Sequence, residues 1–218
     1  MRILLVAATE SEIASFSAML EKFNTVAPYK VEIFTTGVGI PATILKLSQK
    51  LGRHHYDLIF NVGIAGAIAD SLLIPSLVWV MQDEFYELGA EDHDEFISVF
   101  DLGMADKNDF PFRDGVLQGH DLPHFVRTSA IKELNGITVM RVHGNAESIA
   151  RLKRLKQGVA VETMEGAAVF YTAAAYSIPC IQLRAISNRV EPRNRVAWKI
   201  GEAVEMLNNQ LMQWFIIP

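Results

Sequence analysis

The sequence predicts an α/β fold in which a mostly parallel, mixed central sheet carries helices on both faces. Residues 3–8 are a continuous apolar run of strand length, as expected of a strand buried on both sides. Three times a hydrophobic strand ends in polar or glycine residues just before another element, the rhythm of βαβ units. The chain has 218 residues, 50% of them apolar and 21% charged, which suits one α/β domain with a large core.

Thr9 follows the first strand and can cap a helix with Glu10 and Glu12 in its first turn and Ile13, Phe16 and Leu20 as its apolar stripe. A second strand over residues 31–36 ends at Gly37-Val38-Gly39, and Pro41 suits the first turn of the next helix. Residues 58–62 form a third strand ending in Gly63-Ile64-Ala65-Gly66-Ala67, and residues 77–81 form a fourth. From residue 82 to about 134 the periodicity weakens and Pro111 and Pro123 intervene. That segment reads as excursions over the sheet's edge, with a strand around residues 95–100. Order resumes at residues 137–142, 158–163 and 178–186. The basic residues Arg151, Lys153, Arg154 and Lys156 read as a solvated face. In the last helix Ile200, Val204, Leu207, Leu211 and Phe215 recur at spacings of four, three, four and four, a stripe for core packing or a subunit contact rather than a ligand. With no repeat, low-complexity tract or linker, residues 1–218 read as a single domain.

Several classes of function fall away. A formal charge of −5 gives no electrostatic reason to expect nucleic acid or an anionic membrane. No apolar run reaches the length of a membrane span, the first one is too short for a signal-peptide core, and a cytoplasmic location is expected. Cys180, the single cysteine, lies in an apolar strand and reads as a buried structural thiol. His120 and His124 have the spacing of a helical metal pair, but Pro123 between them argues against the helix, so no metal site is expected. A Gly-x-Ser-x-Gly elbow and a Gly-x-Gly-x-x-Gly fingerprint are both absent.

What remains is a set of polar groups at strand ends: Glu12, Glu165, Arg184 and Asn188. Glu165 follows a β-rich run and precedes the small residues of a helix, where open α/β folds bind ligands; a plain helix-start residue would look the same. Arg184 interrupts a run that otherwise reads as a buried strand. It needs an anion there, or an internal ion pair with Glu162 or Glu165.

These strand ends resemble the purine nucleoside phosphorylase and nucleosidase superfamily, and its nucleosidase branch above all. Glu10-Ser11-Glu12 is similar to that branch's Glu-x-Glu, and Thr36-Gly37-Val38-Gly39 to its Ser-Gly-Ile-Gly. Asn61-Val62-Gly63-Ile64-Ala65-Gly66 resembles Asn-Thr-Gly-Ser-Ala-Gly, and the segment 161–165 resembles Val-Glu-Met-Glu. Arg184-Ala185-Ile186-Ser187-Asn188 matches Arg-Ala-Ile-Ser-Asp except at its end. Each motif alone is weak, but five in order along nearly the whole chain are specific. Val-Glu-Thr-Met-Glu-Gly together with Arg-Ala-Ile-Ser-Asn-Arg-Val-Glu-Pro-Arg-Asn-Arg resembles the family that hydrolyses futalosine to hypoxanthine and dehypoxanthine futalosine in a menaquinone pathway.

The resemblance implies a three-layer nucleoside phosphorylase-like fold, a small-molecule nucleoside substrate, no cofactor, and a homo-oligomer (dimer or higher) by analogy with relatives. It also implies roles. Glu12 positions and deprotonates the attacking water. Glu165 accepts from the ribose hydroxyls while Met164 packs on the sugar. Arg184 helps hold that water or a neighbouring carboxylate, and Gly63 and Ala65 let backbone approach the base. Asn188, where many nucleosidases carry Asp, offers two N–H donors to the N7 and O6 acceptors of a 6-oxopurine and so favours hypoxanthine or guanine over adenine. Arg189, Arg193 and Arg195 are candidates for a benzoate tail, and Phe85, Tyr86 and Trp198 for the aromatic wall. Glu162 has no assigned role. Other readings are a methylthioadenosine/S-adenosylhomocysteine nucleosidase, which Asn188 opposes, and a purine nucleoside phosphorylase, for which no basic phosphate cradle is evident. A nucleoside-binding sensor without turnover is the non-enzymatic alternative.

Overall fold

A computed structural model of the chain describes residues 1–23, 29–93, 95–128 and 130–216. Strand β1 (Arg2–Ala7) leads through a 3-10 turn (Glu10–Glu12) into helix α1 (Ala14–Phe23). Strand β2 (Lys30–Thr35), helix α2 (Ile40–Leu51) and strand β3 (Leu58–Ala67) follow, then β4 (Leu77–Asp83). After β5 (Gly89–Asp92), β6 (Glu95–Ser98) and β7 (Leu117–Gln118), the order is β8 (Lys132–Thr138), α3 (Ala146–Leu155), β9 (Val159–Thr163), α4 (Gly166–Ala175), β10 (Cys180–Arg189) and α5 (Ile200–Phe215).

The sheet is mixed and mostly parallel. β1 runs parallel to β2 and β3, β3 to β10, and β8 to β4 and β9, whereas β10–β4, β3–β9 and β4–β7 are antiparallel. Because β3 pairs with both β9 and β10, strands β3, β10, β4, β8 and β9 close a ring of pairings. Alternation within β1 shows why both faces need cover. Ile3 and Leu5 pack with Phe16 of α1 and Leu207, Leu211 and Phe215 of α5, while Leu4 and Val6 pack with Leu47 and Leu51 of α2 and Val169 and Ala173 of α4. Phe60, Trp79, Trp214 and Phe215 form a ring cluster with centroids 5.6–6.1 Å apart in the first of these layers.

The sheet departs from the sequence expectations at its glycines and edges. β3 does not stop at residue 62 but runs on through Gly63 and Gly66, because β10 pairs with it along that length. The expected strand at residues 137–142 runs instead over Lys132–Thr138; its first half is largely exposed, with Leu134 its one apolar residue, yet it pairs with β4. The strand foreseen near residues 95–100 is β6, paired with β5 in a two-stranded sheet of its own. β10 extends to Arg189, so Asn188 is a strand residue. The basic stretch is solvated at Lys153 and Arg154, but Arg151 and Lys156 are half-buried, and Lys156 pairs with Glu84 at 2.6 Å.

Candidate active site

Four segments distant in sequence bring polar side chains to one cavity of about 600 Å³. Glu12, Ala65, Met164, Glu165 and Asn188 lie on its wall.

Glu12 is 8% exposed and locked by backbone donors. One carboxylate oxygen accepts from Thr9 N (2.9 Å) and Thr9 Oγ1 (3.0 Å), the other from Ile64 N (3.0 Å). Asn208 of α5 fixes the main chain on either side of the helix start. Its Oδ1 accepts from Phe16 N (2.8 Å), and its Nδ2 donates to Glu12 O (2.8 Å). Sequence reasoning missed Asn208, although a buried amide beside Leu207 on an apolar helix face is a visible signal.

Gly63 takes a position other than that expected, and Arg184 stands near a carboxylate, the second of its two expected places. Neither lines the cavity; they stand behind Glu12. A Cβ added to Gly63 would come within 2.4 Å of Arg184 Nη1 and 2.7 Å of Glu12 Oε1. Glycine is therefore needed there to admit the carboxylate and the guanidinium, not a base. Arg184 is 1% exposed and forms no ion pair within 4 Å among the described residues, so the expected pairing with Glu162 or Glu165 is not formed. Its Nη2 donates to Gln182 Oε1 (3.4 Å), and its Nε has no partner. Gln182 extends this network, accepting from Asn61 Nδ2 (2.6 Å) and donating to Asp83 (3.0 Å). Burial pushes the Asp83 carboxyl up to about 6, against the pull of bonds from Gln182 and Thr138, the Arg184 charge and the Glu84 N–H. Asp83 and Gln182 were not foreseen: Asp83 falls just past the expected strand at residues 77–81, and Gln182 reads as an ordinary strand residue.

Glu165 sits at the N-cap of α4. It is not merely a helix-start residue: its side chain makes no cap bond, and Oε1 instead accepts from Gly39 N at 2.7 Å, which ties β9 to the start of α2. Gly39 has φ +90°, a left-handed conformation that favours glycine. Burial raises the Glu165 carboxyl above its ordinary value, the Arg184 charge and the Gly39 bond oppose this, and the negative Glu12 adds to the rise. The two carboxylates thus feel each other across one site.

Asn188 is half-buried on the same wall. Arg189 O can only accept, so the amide NH₂ must face it, at 2.8 Å, and Oδ1 then accepts from Ser187 Oγ at 2.9 Å. One amide hydrogen therefore remains for a ligand, rather than the two expected for N7 and O6, because the neighbouring carbonyl takes the other. Trp198 lines the cavity, whereas Phe85 and Tyr86 line a separate one. Among the arginines, Arg193 lines the cavity with its guanidinium 5.4 Å from the Trp198 ring. Arg189 reaches the wall too, but its guanidinium is spent on Ala69 O and Leu72 O (3.1 and 2.7 Å), and Arg195 is exposed and off the wall. Ile200 and Val204 also line the cavity, so the first turns of α5 serve the site while Leu207, Leu211 and Phe215 fill the core.

Glu162 and His143, on the wall beside Met164, form a pair that the sequence did not suggest. His143 N donates to Glu162 Oε1 (3.1 Å), and the ring Nδ1 bonds the other oxygen. Among the described residues no group of three or more His, Cys, Asp or Glu is placed to hold a metal ion, and no helix is long and apolar enough to cross a membrane. Cys180 is fully buried, and burial pushes its thiol far above the ordinary range.

A ring of strands with helices on both faces carries two carboxylates, Glu12 and Glu165, on one cavity wall. The model of the phosphorylase superfamily matches residues 2–213, and the chain belongs to that superfamily. It is similar to futalosine hydrolase of Streptomyces coelicolor, at 36% identity over 160 residues, which are 71% of this chain and 63% of that one. It is similar as well to futalosine hydrolase of Acidothermus cellulolyticus, at 31% identity over 180 residues (82% and 72% of the two chains). The chain thus aligns with somewhat less than two thirds of the Streptomyces protein's length. The native structure of Helicobacter pylori futalosine hydrolase superposes with a TM-score of 0.79 over 98% of this chain and 97% of that one, at 16% identity. A Streptococcus pneumoniae MTA/SAH nucleosidase in complex with 8-aminoadenine gives the same TM-score over 98% of both chains, at 19% identity. At these identities the superpositions establish the fold.

Proposed function

We propose that this protein is a hydrolytic purine nucleosidase that cleaves the N-ribosidic bond of futalosine, releasing hypoxanthine and dehypoxanthine futalosine in menaquinone biosynthesis. The observation that carries the reading is the meeting of Glu12, Glu165 and an amide, Asn188, on one cavity wall. Cleaving a ribosyl C–N bond builds oxocarbenium character on the sugar and negative charge on the base. Glu165, beside Met164, accepts from the ribose hydroxyls. Glu12 takes a proton from the water that attacks C1′, and its locked carboxylate is held ready to do so. Asn188 donates to the departing purine and has no proton to transfer, so the base takes its proton through water. Arg184 acts behind the wall as a positioning residue for the carboxylates. Ala65 lines the floor where the base lies. Arg193, with the Trp198 ring under it, suits a carboxylate on an aromatic tail.

Support also comes from the futalosine hydrolases among the relatives. Methylthioadenosine is disfavoured because Asn188, whose Oδ1 accepts from Ser187 Oγ, has one N–H to offer and no acceptor, where the 6-amino group of adenine requires one. We further infer that residues 1–218 act as one domain in the cytoplasm, as a homo-oligomer that covers the exposed Val38, Val142 and Ile200 at the cavity wall.

The test is to incubate pure protein with futalosine, methylthioadenosine and inosine, with and without phosphate, and to follow free base by chromatography. Hypoxanthine from futalosine, independent of phosphate, is expected. A phosphate requirement would mean phosphorolysis, and faster adenine release from methylthioadenosine would overturn the substrate assignment. Tight binding of nucleoside without release of any base would indicate a sensor.

A further inference from the structure

Behind the cavity wall lies a carboxylate to which the reaction above gives no part. Asp83, at the end of β4, is fully buried and lines no part of the cavity. Its Oδ1 accepts from Glu84 N and Thr138 Oγ1, both at 2.9 Å, and Thr138 Oγ1 in turn accepts from Ala167 N (2.7 Å) in the first turn of α4. A Cβ on Gly166 would lie 2.1 Å from Asp83 Oδ2, so glycine is what lets the helix start this close to the carboxylate. Oδ2 accepts from Gln182 Nε2 (3.0 Å), and that bond fixes which way the Gln182 amide faces. With its NH₂ on Asp83, Gln182 turns Oε1 to two donors, Asn61 Nδ2 (2.6 Å) and Arg184 Nη2 (3.4 Å). The guanidinium so held stands behind Glu12, since the Cβ position of Gly63 is 2.4 Å from Arg184 Nη1 and 2.7 Å from Glu12 Oε1.

We propose that Asp83 is a positioning residue which, through Gln182, fixes the Arg184 guanidinium behind Glu12 and Glu165, an inference that rests on the nucleosidase reading. The chain of bonds has a direction. An ionised Asp83 only accepts, so Gln182 must present its oxygen to Arg184, and a guanidinium, which only donates, needs that oxygen. An amide in place of Asp83 reverses the direction. In Asp83→Asn, Glu84 N and Thr138 Oγ1 keep the amide oxygen, which leaves the new NH₂ facing Gln182. Gln182 turns over to accept from it, and its own NH₂ then faces Asn61 and Arg184. Asn61 can turn over as well. Arg184 has no acceptor to offer, and it moves away. The start of α4 keeps its bond to Thr138, so the variant cuts the Gln182 branch alone.

Steady-state release of hypoxanthine from futalosine by wild type, Asp83→Asn, Gln182→Glu and the double variant tests this at about pH 8, where the Asp83 carboxyl, raised by burial to about 6, is ionised. In Asp83→Asn kcat is expected to fall about ten- to a hundredfold, with KM within about threefold, since neither Asp83 nor Gln182 touches the cavity. Gln182→Glu sets a second carboxylate against Asp83 and should lower kcat too. Together the two changes restore both an acceptor for Arg184 and the wild-type charge, so kcat should rise at least about fivefold above that of Asp83→Asn. Unchanged kcat in Asp83→Asn, or a double variant no better than either single one, overturns the proposal. So does a loss of kcat that tracks melting temperature across the variants, which a merely structural role predicts. Should Asp83→Asn fail to fold, Gln182→Met removes the same acceptor and must show the same loss. Crystal structures read the relay without turnover: the Arg184 guanidinium should shift by about 1 Å or more in Asp83→Asn and return in the double variant. An unmoved Arg184 overturns the proposal, whereas failure of the wild type to release hypoxanthine sinks the nucleosidase reading itself.

Discussion

Replacing Glu12 by Gln tests the mechanism and its supporting geometry together. Both carboxylate oxygens face N–H donors, Thr9 N at Oε2 and Ile64 N at Oε1. A glutamine has one oxygen, so whichever way it turns, its NH₂ meets one of these donors. An unmatched buried donor costs about 1–3 kcal/mol. At roughly 2–4 °C per kcal/mol for a domain of this size, melting should fall by roughly 2–12 °C. The loss of a general base lowers the rate by about 10²–10⁴. Nucleoside binding should stay within about tenfold, since Glu165, Met164 and Asn188 remain in place. Base release, calorimetric melting and equilibrium binding read the three effects independently. Turnover within tenfold of wild type would remove Glu12 from the chemistry, and an unchanged melting temperature would contradict the donor conflict.

Asn188→Asp should narrow the preference for hypoxanthine nucleosides over adenine nucleosides, because a protonated aspartic acid both donates to N7 and accepts from a 6-amino group; an unchanged ratio of kcat/KM would refute base reading by Asn188. Asp83→Asn addresses pH. The folded-state Asp83 carboxyl is raised to about 6 from an ordinary 3.8, so its contribution to stability is fully present below about pH 4 and is lost as pH rises through about 6. Two units correspond to about 3 kcal/mol, and wild type should lose that much relative to Asp83→Asn between pH 4 and pH 7. Urea unfolding of both proteins across that range checks it, and a difference that is flat or rises with pH would contradict the shift.

Legibility in the sequence followed the physics of each signal. The apolar runs at β1, β3 and β10 needed no context, because a strand buried on both faces shows as hydrophobic whatever its partners are. Lys132–Thr138 could not be read that way: its first residues are largely exposed, and a strand comes of them through pairing with β4. Glu12, Glu165 and Asn188 were visible as polar groups at strand ends. Arg184 and Gly63 were visible too, but whether each faces the cavity or backs it depends on side-chain direction, which spacing alone does not determine. The Glu162–His143 pair joins β9 to the loop after β8, and such a pairing between distant segments leaves no periodic trace. Asn208, which joins α5 to α1, does leave one, as an amide on the apolar face of its helix.

The position of Arg184 behind the wall gives the site its electrostatic logic. Burial raises the Glu165 carboxyl, the field of Arg184 opposes that rise, and the charge of Glu12 adds a little to it. The backbone donors on Glu12 and Gly39 N on Glu165 add to the restraint, so two carboxylates stand oriented at one cavity before any ligand enters. A neutral nucleoside gains little from that field. In the proposed reaction a ribosyl group turning cationic gains much more, because the carboxylates are already oriented and need not reorganise. Were Arg184 in direct contact with either carboxylate, it would cancel the charge that the transition state requires. Set back beyond ion-pair distance and fully buried, it holds Glu165 toward its ionised form and leaves both carboxylates facing the cavity.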